Sequence, residues 1–320
     1  MPPTDPLFAL SPSGPAADTE LTRVREAILA ADPHGGIFAA ALRRTFDMLL
    51  DGQHTGRFRW EDLHKTEKTH AGTLVEINLQ RAFDFADGDK MDYSIDGIDV
   101  DCKYSQDLGR WMIPPEAMGH LCLGVWASDD AGLWSAGLFR VAEEVLTKKE
   151  GNRDGKRSLT AAARKTAVHW LFEDAPLPEN ILLRLSEKDI AAIFASRYGT
   201  QRVHELFRRT QGRIVSRGVV ATVAQQDDFM KRIRYNGGSR SALRPEGIVI
   251  LGQYGNHQAV ARRLGLPVPG AGESVSVRLA PWTLEHADAR WAELEGVKWV
   301  VARENDPVVE APLLPEPRER

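Results

Sequence analysis

The sequence predicts an α/β domain followed by a winged helix-turn-helix domain, and three observations lead to this fold class. Helical and strand patterns alternate over the first half of the chain, as they do in α/β domains. The second half has the order helix, turn, helix, strand that is typical of a winged helix-turn-helix. The chain has 320 residues, more than one typical domain, and its length therefore predicts two domains.

Hydrophobic periodicity and turn signals predict the elements of the first half. In chain order these are helices over 19–50 with a break at 34–36, a helix over 74–85, a β-hairpin over 91–105, strands over 120–126 and 133–141, and a helix over 161–171. The hairpin prediction depends on the Asp96-Gly97 pair, because Asp-Gly between two alternating runs favours a tight turn. Residues 1–18, rich in proline and small residues, are expected to form a mobile tail.

Two prolines in the sequence EDAPLPE mark the predicted linker, residues 173–179, because proline stops a helix. The two domains are therefore expected to span 19–172 and 180–320. The polar run HKTEKTH at 64–70 is interpreted as a surface loop. In the second domain the pattern predicts helices over 203–211 and 215–224, a short basic helix over 227–235, a turn at 236–238, the start of a helix over 239–244, and a strand over 247–252.

The net charge of -4 argues against a wholly basic nucleic-acid binder, but the charge is unevenly distributed. Residues 201–263 contain twelve Arg and Lys against four Asp and Glu, a local balance of about +8 that attracts phosphate. A solvated helix face would give the same count. The excess of Arg favours phosphate or base recognition, since the guanidinium is a planar bidentate donor. The candidate DNA-binding residues around the helix-turn-helix are Lys231, Arg232, Arg234, Arg240 and Arg244.

Cysteine usage and the amino terminus indicate a cytoplasmic protein. Cys102 and Cys122 do not form a disulfide framework, which favours a reducing compartment. The first residues lack a basic segment followed by an apolar one, so no secretory signal is expected. No apolar run approaches the roughly 20 residues that span a bilayer. The nine histidines show no zinc-ligand spacing, so a zinc site is not expected.

The segment MDYSIDGIDVDCKYS contains the candidate catalytic residues. Asp101 and Lys103 are two apart on a predicted strand and therefore share a face, and the hairpin would bring Asp92 close to them. Carboxylates can hold Mg²⁺ and prepare a water for attack on a phosphodiester, while the lysine stabilises the developing charge. Glu76 is a candidate third acid on the preceding helix. Asp-x-Lys is common by chance, and a solvated strand face that also includes Asp99 is the alternative.

Six long strings of the sequence are distinctive. They are LHKTEKTHAGTLVEINL at 63–79, DYSIDGIDVDCKYS at 92–105, WMIPPEAMGHLCLGVWAS at 111–128, HELFRRTQGR at 204–213, ATVAQQDDFMKR at 221–232 and RSALRPEGIVILG at 240–252. All six resemble strings of one known family, the NaeI restriction endonucleases. The resemblance runs from about residue 51 to the final VVEAPLLP and so covers both predicted domains.

This resemblance implies a bacterial type IIE restriction enzyme that acts as a homodimer. Its first domain would have a restriction-endonuclease-like mixed sheet with flanking helices, and its second a winged helix-turn-helix of the catabolite-activator type. Each domain would bind one copy of double-stranded DNA, with GCCGGC as the expected palindrome, and the second copy would activate Mg²⁺-dependent cleavage. The family's catalytic residues fall on Thr66, Glu76, Asp92, Asp101 and Lys103, with the three acids as metal ligands.

Three further interpretations stand beside the restriction enzyme. With the NaeI resemblance comes a similarity of Leu49-Leu50-Asp51-Gly52 to the K-x-D-G signature of DNA ligases, with Leu49 in place of the nucleophilic lysine. Ligase activity is therefore not expected, and a helix end closed by Asp51-Gly52 explains the same four residues. The alternative function is a non-enzymatic winged-helix transcription regulator with an N-terminal sensor domain. A repair or nicking endonuclease with structural preference is the third possibility.

Overall fold

The computed structural model describes residues 18–148 and 154–316, and these residues form two compact units. The first unit takes its described residues from Met1–Ala41, Val75–Ala127 and Trp134–Ala175, and the second takes its described residues from Leu42–Leu74, Ser128–Leu133 and Pro176–Arg320. The last boundary lies in the segment expected to be the linker. A single cut at this boundary would not separate the two units, however, because the earlier segments 42–74 and 128–133 belong to the second unit.

Five α-helices lie among the described residues up to Thr166. They are α1 (Thr19–Ala31), α2 (Gly36–Leu50), α3 (Gly52–Thr55), α4 (Lys65–Phe83) and α5 (Ala161–Thr166). The predicted helical stretch with a break near 34–36 is confirmed. Residues 1–17 of the predicted tail lie outside the described residues, but including Asp18 in that tail was wrong. Its carboxylate caps α1 by accepting from Leu21 N at 3.0 Å and pairs with Arg140 at 2.7 Å.

Helix α4 begins well before the predicted start at residue 74, and the expected surface loop HKTEKTH was therefore wrong. Glu67 explains the early start. Its carboxylate accepts from His64 N at 2.7 Å, which satisfies a free backbone donor just before the helix. An acid in the first turn is also stabilised by the helix dipole.

The first unit contains a six-stranded sheet in the order β1-β2-β3-β4-β5-β6. The strands are β1 (Ala86–Asp87), β2 (Tyr93–Ile95), β3 (Ile98–Ser105), β4 (Leu121–Ser128), β5 (Leu133–Arg140) and β6 (His169–Pro176). Strands β2 and β3 are antiparallel, whereas β3 and β4 are parallel, so the sheet is mixed. The hairpin turn is confirmed, with Asp96 and Gly97 at φ 52° and 73°. The strands predicted over 120–126 and 133–141 are also confirmed.

Strand β6 was not predicted. A helix was expected over 161–171, but α5 ends at Thr166 and β6 begins at His169. The sequence HWLF at the start of β6 is rich in aromatic residues, which favour strands. Residues 173–176 of the predicted linker complete this strand.

The second unit contains helices α6 (Glu187–Phe194), α7 (Gly199–Arg209), α8 (Arg217–Ala224), α9 (Ser239–Ala242) and α10 (Gly255–Leu264). Its strands are β7 (Ile214–Ser216), β8 (Ile248–Gly252), β9 (Glu273–Pro281), β10 (Trp291–Leu294) and β11 (Val297–Val301). Strand β9 pairs antiparallel with β7, β8 and β11, and β10 pairs with β11. The prediction of a mixed α/β protein is thus confirmed.

The predicted elements around the basic segment are only partly found. The helices over 203–211 and 215–224 correspond to α7 and α8, and the strand over 247–252 corresponds to β8. The short basic helix predicted over 227–235 is found only in part, as a 3-10 helix at Phe229–Ile233 with Lys231 and Arg232 in its last turn. Strand β7 was not predicted.

Apolar packing explains why residues 42–74 belong to the second unit. Phe58 lies in one hydrophobic cluster with Leu206 and Val219. Gly52 lies directly against Thr222, since a Cβ at Gly52 would be 2.1 Å from its Oγ1. Within the described ranges, no helix combines the length and apolar character that crossing a membrane requires.

Candidate active site

The β2–β3 hairpin brings Asp92, Asp101 and Lys103 together, as the sequence predicted. Lys103 Nζ lies 2.6 Å from Asp101 Oδ1 and 3.4 Å from Asp92 Oδ2. Asp92 immediately precedes β2, where Tyr93 pairs with Val100 of β3. Its carboxylate also accepts from Cys102 N at 2.7 Å, which fixes it against β3 just beyond the paired residues.

Three oxygens surround the Lys103 ammonium. Besides the two carboxylate oxygens, the carbonyl oxygen of Cys102 accepts from Nζ at 2.8 Å. The ammonium thus marks a point at which oxygen donors converge. An oxygen-only environment is the kind that a hard divalent cation prefers.

Burial of this cluster changes its proton affinities. Asp101 is only 4% exposed, and burial raises its pKa to about 6 even though Lys103 acts in the opposite direction. For Lys103, burial is the largest single effect and opposes the charged form, but the Asp101 and Asp92 carboxylates act together against it and the pKa is raised. At neutral pH the pair therefore holds a carboxylate and an ammonium in a partly buried setting.

Glu76 faces the same cluster from α4. The Tyr93 hydroxyl donates to the Glu76 carbonyl oxygen at 2.8 Å and so joins α4 to β2. Burial, followed by the negative charge of Asp92, raises the pKa of Glu76. Both effects indicate a carboxyl group held near other carboxylates with limited access to water.

The cluster has three acids and one lysine, an excess of negative charge that favours a cation. The predicted metal ligands were Glu76, Asp92 and Asp101. In the part of the chain that the structure describes, no three His, Cys, Asp or Glu side chains are grouped so that they could hold a metal ion. Of the three predicted ligands, Asp92 and Asp101 converge on Lys103. Their carboxylate oxygens are of the type that binds Mg²⁺.

Cys122 is part of the site although sequence reasoning missed it. It is fully buried on β4, where it is the partner of Asp101 in the parallel pair, and its Sγ lies 3.8 Å from Asp101 Oδ2. Burial raises the pKa of the Cys122 thiol, so it stays protonated. The apolar run HLCLGVW predicted the strand, but no sequence signal gives its register against β3. Cys102, between Asp101 and Lys103 on β3, points to the opposite face of the strand and is also buried.

Two other predicted positions lie in the second unit. Thr66 is exposed in the first turn of α4, about three turns before Glu76 along that helix. Leu49 is 6% exposed near the end of α2, and Asp51 follows with a left-handed φ of 44° before α3. The interpretation of Leu49-Leu50-Asp51-Gly52 as a helix end agrees with this geometry.

The five predicted DNA-binding residues divide into two groups. Lys231 and Arg232 lie on the 3-10 helix and pair with Asp228 at 3.6 and 2.6 Å, and Arg234 is exposed directly after it. These three remain near the surface. Lys231, with a side chain 62% exposed, is the most accessible member of the two ion pairs.

Arg240 and Arg244 make contacts inside the second unit. Arg240 Nε donates to the carbonyl oxygen of Ile250 at 3.0 Å, and burial lowers the pKa of this guanidinium. Arg244 Nε donates to the carbonyl oxygen of Ala311 at 3.0 Å and its guanidinium pairs with Glu310. Both side chains therefore stabilise the unit itself.

Comparison with known proteins extends the resemblance noted in the sequence. A family model described as restriction endonuclease NaeI matches residues 22–310. The type II restriction enzyme NaeI of Lentzea aerocolonigenes is 50% identical over 305 residues, which cover 93% of this chain and 95% of that protein. The chain belongs to the NaeI family of restriction endonucleases. The predicted class, a type II DNA-cleaving enzyme, is thereby confirmed over the non-enzymatic regulator.

Proposed function

We propose that this protein cleaves double-stranded DNA at a specific sequence in a reaction that depends on Mg²⁺. The observation that carries the proposal is the convergence of Asp92 and Asp101 on the Lys103 ammonium, in a chain of the NaeI family. Such a cluster offers carboxylate oxygens for a cation and a fixed positive charge for a phosphate. Both are needed when a phosphodiester is hydrolysed.

Asp92 and Asp101 would hold the metal. Glu76 lies close enough to interact electrostatically with both of these carboxylates. The bound metal would neutralise charge on the scissile phosphate and lower the pKa of a water. Lys103 has to give up part of its contact with Asp101 for a cation to approach the same oxygen. Its ammonium then stabilises negative charge on the phosphate oxygens. Thr66, which the family resemblance also implicates, is retained as a catalytic candidate.

We further propose that part of the second unit is a winged helix-turn-helix that binds DNA. The order α7, β7, α8, a basic 3-10 segment, β8 and β9 supports this assignment, as does the antiparallel pairing of β9 with both β7 and β8. Lys231, Arg232 and Arg234 are the contacts we retain. Arg240 and Arg244 would support them by holding the unit together.

The family resemblance supplies the finer proposals. These are a bacterial cytoplasmic homodimer, the palindrome GCCGGC as its target, and activation of the endonuclease domain by a second DNA copy on the C-terminal domain. A palindromic target fits a two-fold dimer, because the symmetry of the DNA site matches that of the protein. A GC-rich target fits Arg-rich contacts, since Arg commonly binds guanine.

The direct test is incubation of the purified protein with a fully sequenced plasmid containing GCCGGC. Discrete fragments with ends inside that hexamer are expected with Mg²⁺, and none after the metal is removed with EDTA. Sequencing of the ends gives the cut position. Intact plasmid under both conditions would contradict the nuclease proposal, and random nicks would indicate an endonuclease without sequence preference.

A further inference from the structure

The segment that follows β3 begins on the face of the sheet that carries the proposed catalytic residues. Side chains two apart on a strand point to the same face, so Lys103 and Ser105 share the face of Asp101. The chain then leaves the sheet, and residues 106–110 form a loop that ends at Trp111. We refer to these five residues as the 106–110 loop.

The 106–110 loop returns to the same face beside Lys103. In the parallel pair of β3 and β4, Lys103 is the partner of Gly124 and Ser105 is the partner of Trp126. A Cβ at Gly124 would lie 2.6 Å from the ring of Trp111, so this ring covers Gly124. Neighbouring strands lie about 4.8 Å apart. Both ends of the loop are therefore close to Lys103.

Three features fix the shape of this loop. Trp126 Nε1 donates to the carbonyl oxygen of Gln106 at 2.8 Å, and Arg164 donates to the carbonyl oxygen of Leu108 at 3.1 Å. Gly109 has a φ of 77°, and a Cβ at this position would lie 2.1 Å from Arg164 Cδ. A loop held in this way loses little conformational entropy when it binds a partner.

The 106–110 loop and α5 each present an exposed cation, and α5 also borders an open cavity. The side chain of Arg110 is 74% exposed, and its ion pair is with Asp107, itself 67% exposed. Lys165 of α5 is exposed as well. It lines a cavity of about 560 Å³ together with Leu108 and Trp170.

We propose that the 106–110 loop contacts DNA beside the cleaved phosphate, with Arg110 reading a guanine edge and Lys165 holding a backbone phosphate. This inference rests on the proposed nuclease function and names a contact of the same site. An exposed guanidinium on a rigid loop suits bidentate base recognition, the commonest specific contact of Arg. Contacts to phosphate fix the register but carry no sequence information.

The test measures DNA binding by Arg110→Ala and Lys165→Ala, with Ca²⁺ in place of Mg²⁺. The probes are a duplex of about 20 base pairs centred on GCCGGC and a duplex of the same composition in scrambled order. Arg110→Ala should weaken binding to the first duplex by roughly 10- to 100-fold and change binding to the second little. Lys165→Ala should weaken both alike and reduce the salt slope by about one. The control Arg25→Ala removes an exposed cation of α1 and should match the wild type.

A second pair of variants tests the loop without removing a donor. Gly109→Ala places a Cβ against Arg164, whereas Gly119→Ala has a similar positive φ of 84° and no atom within 4 Å of the added Cβ. Cleavage should fall at least about tenfold in Gly109→Ala relative to Gly119→Ala, with similar melting temperatures. Equal cleavage by these two variants, or wild-type binding by Arg110→Ala, would overturn the loop proposal while discrete plasmid fragments still upheld the nuclease. A wild type that leaves the plasmid intact would overturn both.

Discussion

At the scale of single residues, the position of Lys103 is the most informative feature of the site. Its ammonium takes three oxygens that a cation would also use, while Asp101 is buried enough to have a raised pKa. Removing the positive charge leaves carboxylates that repel one another in a setting of reduced solvation. A cation at this point, either the ammonium or a metal, therefore stabilises the charged form of these carboxylates.

Asp101 can be tested against a neighbour on the same strand face. Asp101→Asn keeps the size of the side chain but removes the charge that binds a cation. Cleavage should fall by a factor on the order of 100 to 1000, while DNA binding is retained. Asp99→Asn is the control, because the Asp99 carboxylate accepts from the backbone N of Asp89 and Lys90 at 2.9 and 3.0 Å. Initial cleavage rates on plasmid measure both variants, and an equal loss in the two would contradict the assignment.

Part of this site was predictable from the sequence for a simple reason. Alternation on a strand places Asp101 and Lys103 on one face, and an Asp-Gly turn returns the chain toward Asp92. The contact between Cys122 and Asp101 was not predictable, because it depends on the register of two parallel strands joined by a long connection. The pairing of Arg240 and Arg244 with backbone carbonyls was hidden because Ile250 and Ala311 come close to them only in the folded second unit.

At the scale of elements, strong local sequence patterns predicted the secondary structure correctly. The predictions failed where a contact outside the local pattern determined the structure. The β2–β3 hairpin and strands β4 and β5 follow from short-range signals. Helix α4 begins early because Glu67 satisfies a backbone donor, and β6 replaces the end of a predicted helix within the sheet. Tertiary pairing thus overrode a local pattern that would also fit a helix.

His257 connects three elements of the second unit and predicts a pH effect. Its Nδ1 accepts from Gly252 N at 3.1 Å, and Nε2 lies 3.1 Å from the carbonyl oxygen of Pro315, so the neutral ring joins β8, α10 and the C-terminal segment. Burial, followed by the charge of Arg240, lowers its pKa from 6.5 to about 4. The unfolded chain takes up the proton first as pH falls, so the free energy of unfolding decreases between about pH 6.5 and pH 4.

Urea unfolding at about pH 7 and about pH 5 measures this effect. Over that interval His257 should account for roughly 2 kcal/mol of lost stability. In His257→Gln, which cannot take up a proton, the decrease between the two pH values should be smaller by that amount. His70→Gln removes an exposed histidine and should retain the wild-type decrease. A decrease in His257→Gln as large as that of the wild type would contradict the assignment.

At the scale of the whole molecule, the chain divides in a way that no linker motif predicted. Segments 42–74 and 128–133 belong to the second unit, so α2 and α4 each contain residues of both units. Composition can locate a proline-rich break, but it cannot reveal that Phe58 packs in the core of the later unit. The proposed endonuclease and DNA-binding domains are therefore functional assignments, and the compact units follow the apolar packing.

If the second unit binds an activating DNA copy, cleavage should depend on the number of target sites. A plasmid with one GCCGGC should be cut more slowly than a plasmid with two. Adding a short duplex that contains GCCGGC should accelerate cleavage of the one-site plasmid.

Variants of the second unit test where the activating copy binds. Lys231→Ala combined with Arg234→Ala should reduce this acceleration but leave the unstimulated rate unchanged, because each lost phosphate contact weakens binding and lowers the salt slope by about 0.9. Arg263→Ala, which removes an exposed cation of α10, is the matched control and should keep the full acceleration. The measurement is the initial cleavage rate against duplex concentration at two salt concentrations. Equal rates on both plasmids, with no effect of added duplex, would contradict activation by a second site and leave cleavage itself unaffected.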